Sequence, residues 1–488
     1  MKRRSLVLVT VDCLRADHLG FNGYSKPVSP FLDSLAQQSI AIPDAIVAGV
    51  PTYFSFPAIM ASRYPLGLGR HILGIAPEEK TIATCLRDNG YRTAGLIAGN
   101  PYVGTRYGFG QGFQTFDDYL HVGSQGKAAE VSGGGQAVSA LNRRLQKLTA
   151  MNTSAEAAYN ELYFWYCQWK ASRERRSLED LRPYPSAATM VDRACSWLRE
   201  NYRDDFFLWI HLMDAHHPHY PPQHALSAIG MPGTTVVRQR FLNSFWNRRD
   251  IRLSRLRRYV PEMIGLYDAS IRWIDEQVAR LTRTLQELDR WNDTVFVVTA
   301  DHGEEFLEHG DRYHSPMSPI EQLIRVPLLM HIEGVEPLRE QHCPFSLIHL
   351  APTLLDAMGV GIPSAFTGRS FWDQIAAGKL DGEAAILETV GTGNDPCSRE
   401  QQMRMRVLSV RDRDYKLVLR FGQNRCDLYD LKNDPEERAP LPNSVQAKER
   451  AHLLKVAQQH LKQSRLRKDK DLALNATIRE IRLSLISA

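Results

Sequence analysis

Ser5-Leu-Val-Leu-Val-Thr-Val-Asp12 and Thr294-Val-Phe-Val-Val-Thr-Ala-Asp301-His302-Gly303-Glu304-Glu305 stand almost three hundred residues apart, and each is an apolar run that stops at an acidic residue. A run of Val and Leu without polar alternation suits a strand covered on both faces of a parallel sheet. In such sheets ligands gather beyond the carboxyl ends of the strands. Asp12, Asp301 and His302 are therefore expected at one rim, as metal ligands. The alternative is that each Asp caps the helix that follows it.

Working outward, the pattern from Ser5 to about Tyr119 alternates strand and helix. The helices are expected near Ser29–Gln38 and Thr81–Asn89, and the second strand over Gly90–Ala98. Asp205-Phe-Phe-Leu-Trp-Ile-His-Leu-Met-Asp214 reads as another buried strand, followed at once by a loop carrying His216, His217 and His219. Tyr259–Leu288 has helical apolar spacing, and Val326–His331 looks like a further strand. Alternation of this kind means an α/β fold with a mostly parallel sheet flanked by helices. Beyond about Ser364, Val407–Arg411 and Tyr415–Arg420 are short alternating strands of a small C-terminal α+β subdomain with an antiparallel sheet. The expected organisation is a catalytic domain over 1–363, with a helical insertion at about 121–200 and an Arg-rich one at about 223–260. A subdomain over 364–444 and a charged helical tail over 445–488 complete it.

Composition narrows the class. With 488 residues, 43% apolar and 24% charged, the chain has the make-up of a globular enzyme. A net charge of +5 is too small to imply nucleic-acid binding. The apolar run at the N-terminus ends at Asp12 with no small-residue cleavage site after it, which argues against a signal peptide. No stretch approaches the ~20 apolar residues of a membrane span. Seven scattered cysteines without CxxC spacing argue against a disulfide framework or a thiolate zinc site, and a cytoplasmic location is the default expectation.

Several segments, taken in order, resemble the sulfatase branch of the alkaline phosphatase superfamily. They are VTVDCLRADHLGFNGY (Val9 to Tyr24), SPFLDSLA (Ser29 to Ala36), Gly90-Tyr-Arg-Thr, Met213-Asp-Ala-His216-His-Pro218, Asp301-His-Gly-Glu-Glu with Glu308-His-Gly310, Arg325-Val-Pro-Leu, Leu350-Ala-Pro-Thr-Leu-Leu, and Asp427-Leu-Tyr-Asp-Leu-Lys-Asn-Asp-Pro435. The resemblance implies an alkaline-phosphatase-like core and one divalent metal held by Asp12, Thr52, Asp301 and His302. Manganese or zinc suits a set with an imidazole, and calcium or magnesium suits it less well. Cys13 follows Asp12 where sulfatases often carry a second Asp, and is not counted as a ligand.

The chain departs from its relatives at the nucleophile. Sulfatases carry Cys-x-Pro-Ser-Arg about a dozen residues before a Tyr-Pro and convert that Cys to formylglycine. Counting back from Tyr64-Pro65 puts Thr52 at the Cys position and Phe56 at the Arg position, so no formylglycine is expected. Thr is the nucleophile in other superfamily branches, and a directly bound divalent cation favours its alkoxide. Ser55 is a rival hydroxyl, and a helix cap is the structural role open to Thr52.

By resemblance, His216 contacts substrate, and His314 stands where relatives often place Lys. Either can donate to an oxyanion and protonate a leaving group near neutral pH. Asn100 stands where sulfatases have Gly-Lys and is expected to donate its amide to substrate. The implied function is a metal-dependent hydrolase of small anionic esters, phosphate mono- or diesters or phosphonates, through Thr52. A formylglycine-free sulfatase, a phosphoryl-group transferase and an inactive binding protein are the alternatives.

Overall fold

The computed structural model describes residues 3–65, 73–120, 153–173, 177–338, 340–341, 344–390 and 405–464. Eight strands form the central sheet: β1 (Ser5–Val11), β2 (Ile40–Ile46), β3 (Arg92–Ile97), β4 (Thr115–Asp117), β5 (Phe206–Leu212), β6 (Thr294–Ala300), β7 (Arg325–His331) and β8 (Phe345–Ser346). Their spatial order is β8-β2-β7-β6-β1-β5-β3-β4. β1 lies between β5 and β6 and is parallel to both, with Thr10 opposite His211 on one side and Thr299 on the other. β7 runs antiparallel to both its neighbours, β2 and β6, and the remaining pairings are parallel.

Every residue of β1, β5 and β6 is buried, as their unbroken apolar runs require. Helices cover the sheet. The long helix Val260–Glu287 places the buried Asp275 so that its carboxylate accepts from Phe31 N (3.0 Å) and Leu32 N (2.8 Å), and so satisfies two free donors at the start of the helix Pro30–Ala36. On the same helix Asp268 binds His18, Tyr24 and Lys26, which fixes the loop that leaves β1.

The second sheet is antiparallel and four-stranded: β9 (Ala385–Val390), β10 (Arg406–Arg411), β11 (Tyr415–Arg420) and β12 (Arg425–Asp430), paired in chain order.

One boundary differs from the sequence expectation. The helix Ala187–Asn201 belongs to the core, burying Met190, Val191, Ala194, Trp197 and Leu198, so the expected insertion over 121–200 ends before it. Of that insertion, 121–152 lies outside the described residues. The charged tail docks on the second sheet. Residues 447–464 are helical, Leu453 and Ala457 bury against β10, β11 and β12, and His460 Nε2 pairs with Glu388 Oε1 at 2.7 Å. Residues 465–488 lie outside the described residues. In the Arg-rich segment, Arg238 pairs with Glu262, and Arg248 and Arg255 share Glu161, so these charges hold helices together.

Candidate active site

Asp12 continues the ladder of β1 by one residue, its N–H donating to Leu212 O at 2.8 Å, and Asp301 follows β6 directly. No helix starts directly after either, and the 3-10 turn at Ala16–His18 has Arg15 at its cap position, so neither carboxylate is a cap. The third contribution comes from the helix Thr52–Ala61. Its cap position is Pro51, and Thr52 makes no capping bond. The Thr52 hydroxyl turns instead to the strand ends, with Oγ1 3.1 Å from His302 Nε2 and 3.5 Å from Asp12 Oδ2. His302 Nε2 is itself 3.6 Å from Asp301 Oδ2 and 3.8 Å from Asp12 Oδ1. Ser55 is buried on the same helix but its Oγ has no hydrogen-bond partner.

The donor set fits a divalent cation. Ligands about 2.1 Å from a common ion stand roughly 3.0–3.5 Å apart, close to the separations found. His302 Nδ1 lies 2.8 Å from Gly303 O and must donate to it, leaving the Nε2 lone pair to face the carboxylates. Asp301 Oδ2 is buried and accepts no hydrogen bond. Burial and the neighbouring Asp12 push the Asp301 carboxyl well above the carboxylate range. For Asp12 burial acts the same way but is outweighed by His211, His216 and His302, which hold it low. Two carboxylates forced together, one with an oxygen that accepts no hydrogen bond among the described residues, are what a dication relieves.

His216 and His314 meet beside this group, ring centroids 5.2 Å apart, and His314 lies 4.6 Å from the His302 ring. Burial lowers the His314 pKa, but the adjacent Glu304 outweighs it and the net shift is upward. Burial lowers His217 to about 4 and His219 to about 3, so these two are neutral near pH 7. Asn100 departs from expectation: its Nδ2 donates to Asp12 Oδ2 at 2.8 Å and its Oδ1 accepts from Tyr102 N, so it orients the carboxylate. Phe56 packs into an aromatic cluster with Phe109, Trp209 and His211.

Three residues, His211, Glu304 and Tyr184, were given no role from the sequence, and Cys13 was set aside as a ligand. His211, fully buried, lies 3.4 Å from Asp12 Oδ2 and 3.0 Å from Thr10 Oγ1. Its signal was a lone imidazole inside an apolar strand. Glu304 and Cys13 border His314. Tyr184 donates to His216 O (2.6 Å) or Pro218 O (3.0 Å) and fixes the histidine loop; nothing in its local sequence marks it.

The sulfatase family model matches residues 4–360, and a second, for the C-terminal part of N-sulphoglucosamine sulphohydrolase, matches 317–467. The chain belongs to the sulfatase family. It is a hydrolase of that ester-cleaving kind, in the alkaline phosphatase superfamily. An arylsulfatase of Clostridium perfringens is 24% identical over 92% of both chains. The phosphonate monoester hydrolase of Agrobacterium radiobacter superposes with a TM-score of 0.62 at 17% identity, covering 95% of this chain and 96% of that one. A structure of BT4656 with its substrate D-glucosamine-2-N,6-O-disulfate superposes at 0.64 with 16% identity, covering 95% and 98%.

Proposed function

We propose that this sulfatase-family hydrolase cleaves phosphate mono- or diesters or phosphonates with Thr52 as nucleophile, aided by one divalent cation at Asp12, Asp301, His302 and Thr52. The observation that carries the reading is the Thr52 hydroxyl aimed, without a capping bond, at His302 Nε2 and Asp12 Oδ2. A cation bound there supplies positive charge that lowers the pKa of the hydroxyl and of the developing oxyanion. Asn100 and His211 orient Asp12 through its Oδ2. Thr52 releases its hydroxyl proton to solvent, and its Oγ1 then forms a bond to phosphorus as the bond from phosphorus to the leaving oxygen breaks. His314, or His216 beside it, gives that oxygen a proton. Water, deprotonated by the same imidazole, attacks phosphorus, and the Oγ1–phosphorus bond breaks to restore the Thr.

Sulfate esters are the second reading, favoured by the arylsulfatase relative that spans nearly the whole chain. Parallel hydrolysis of p-nitrophenyl sulfate, p-nitrophenyl phosphate, its bis-ester and a phosphonate monoester, after loading with manganese, zinc or calcium, separates the two. Phosphorus esters should lead. Thr52→Ala should lower turnover by about 10³-fold or more, since the nucleophile itself is removed. Dominant sulfate turnover selects the second reading, and activity that survives Thr52→Ala rules out the nucleophile.

A further inference from the structure

Cys13 stands in the left-handed backbone region at φ 63°, a conformation that side chains other than glycine rarely adopt. Tyr267 holds it there: its hydroxyl donates to Cys13 O at 2.7 Å and accepts from Arg15 N at 2.8 Å. The thiol so placed lies 3.6 Å from His314 Nδ1. One ligand atom each from Cys13, His216 and His314 fall within 4.8 Å of one another. His216 Nδ1 is committed to His217 O, which leaves the Nε2 lone pair free. Glu304 stands beside His314 at the edge of the group. Its Oε2 is 3.6 Å from His314 Nδ1, its side chain is 1% exposed, and that oxygen accepts no hydrogen bond.

A sulfur at ~2.3 Å and a nitrogen at ~2.0–2.1 Å from a tetrahedral zinc stand about 3.6 Å apart, the Sγ to Nδ1 separation found. One sulfur, two imidazoles and one carboxylate form a softer donor set than that at Asp12, Asp301, His302 and Thr52, and they suit zinc or cobalt where oxygen-rich sites suit manganese or magnesium.

We propose that Cys13, His216, His314 and Glu304 form a second cation site, selective for a borderline ion such as zinc, whose filling inhibits the enzyme by taking the imidazoles that serve the leaving group. The inhibitory half rests on the roles given above to those imidazoles; the binding half does not. Cobalt(II) titrated into the full-length, manganese-loaded protein reads the site without substrate. Wild type and Thr52→Ala should bind one further equivalent and develop a thiolate-to-cobalt charge-transfer band in the near ultraviolet, and Cys13→Ser should do neither. His314→Ala, which keeps the thiol, should weaken cobalt binding by tenfold or more and guards against a Cys13→Ser that does not fold. No band, or a band that survives Cys13→Ser, overturns the site. Zinc added to the manganese enzyme should inhibit in competition with the ester, and inhibition insensitive to ester concentration overturns the inhibitory half. A cobalt band in a protein that hydrolyses none of the four esters would support the site and count against the functional reading alone.

Discussion

Asp301 shows what a single residue contributes when one oxygen of its buried carboxylate accepts no hydrogen bond among the described residues. Its Oδ1 accepts from His302 N at 3.0 Å, while its Oδ2 is buried without a hydrogen bond and beside Asp12. In a chelator the ionised form is therefore a burden on the fold, and Asp301→Asn keeps the Oδ1 contact while removing the charge. The variant should be more stable than wild type in EDTA by about 1–2 kcal/mol, the scale of a buried charged group left unsatisfied. Manganese at 100 times its dissociation constant should stabilise wild type by about 2.7 kcal/mol and the variant hardly at all. Thermal unfolding with and without the ion reads both, and equal stabilisation of the two proteins would remove Asp301 from the ligand set. The two strand-end acids were legible in the sequence because an apolar β-run that stops at Asp is an unusual pattern. Asn100 was legible as a polar residue at the rim but not in its direction, since whether an amide faces substrate or a neighbouring carboxylate is decided by the packing of Tyr102 and Met213 around it.

At the scale of elements, the core strands followed from their hydrophobic pattern, and Thr81 was read correctly as the start of a helix because its side chain forms a capping box with Thr84. The helix Ala187–Asn201 was misassigned to an insertion because a polar, Arg-rich surface masks its buried stripe of Met190, Val191, Ala194, Trp197 and Leu198. The tail was legible as a charged helix, but its docking was not: Leu453, Ala457 and His460 are few among its charged residues, yet they are the ones that dock. Glu388 on β9 receives that docking. Burial would raise its pKa, but Arg406 and His460 outweigh it and hold Glu388 at about 2. An unfolded Glu titrates near ~4.3, so the folded form has the lower pKa. The stabilisation it brings is complete above about pH 4.3 and is lost as pH falls toward 2. Glu388→Gln should therefore lower stability at neutral pH and flatten the acid limb of the unfolding curve between those values. An unchanged acid limb would show that the tail contact carries no linkage.

Across the whole molecule, the C-terminal sheet braces the rim of the catalytic sheet through buried charge. Lys416 of β11 is fully buried, its Nζ 2.7 Å from Pro319 O, 3.1 Å from Glu321 Oε1 and 2.5 Å from Glu437 Oε1. Arg411 of β10 adds contacts to Glu321 and Asp44. Glu321 begins the short helix Glu321–Ile324, and the next residues press on the turn that carries the candidate ligands. Gly303 N donates to Leu323 O at 2.9 Å, and a Cβ on Gly303 would come within 1.9 Å of Gln322 O. The path from Lys416 to His302 is thus a series of close, directional contacts through one turn of helix. Lys416→Ala would leave Glu321 and Glu437 facing each other in a buried site, and should destabilise the fold by about 3–5 kcal/mol. The exposed pair Arg92 and Asp204 supplies the control, since Arg92→Ala should leave stability nearly unchanged. If the brace also sets the ligand geometry, Lys416→Ala should weaken manganese binding at 25 °C by roughly tenfold or more, the loss typical of a missing outer-sphere partner, with Arg92→Ala unchanged. Destabilisation with undiminished manganese affinity would confine Lys416 to holding the two sheets together, and would leave the Asp301 turn positioned by the central sheet alone.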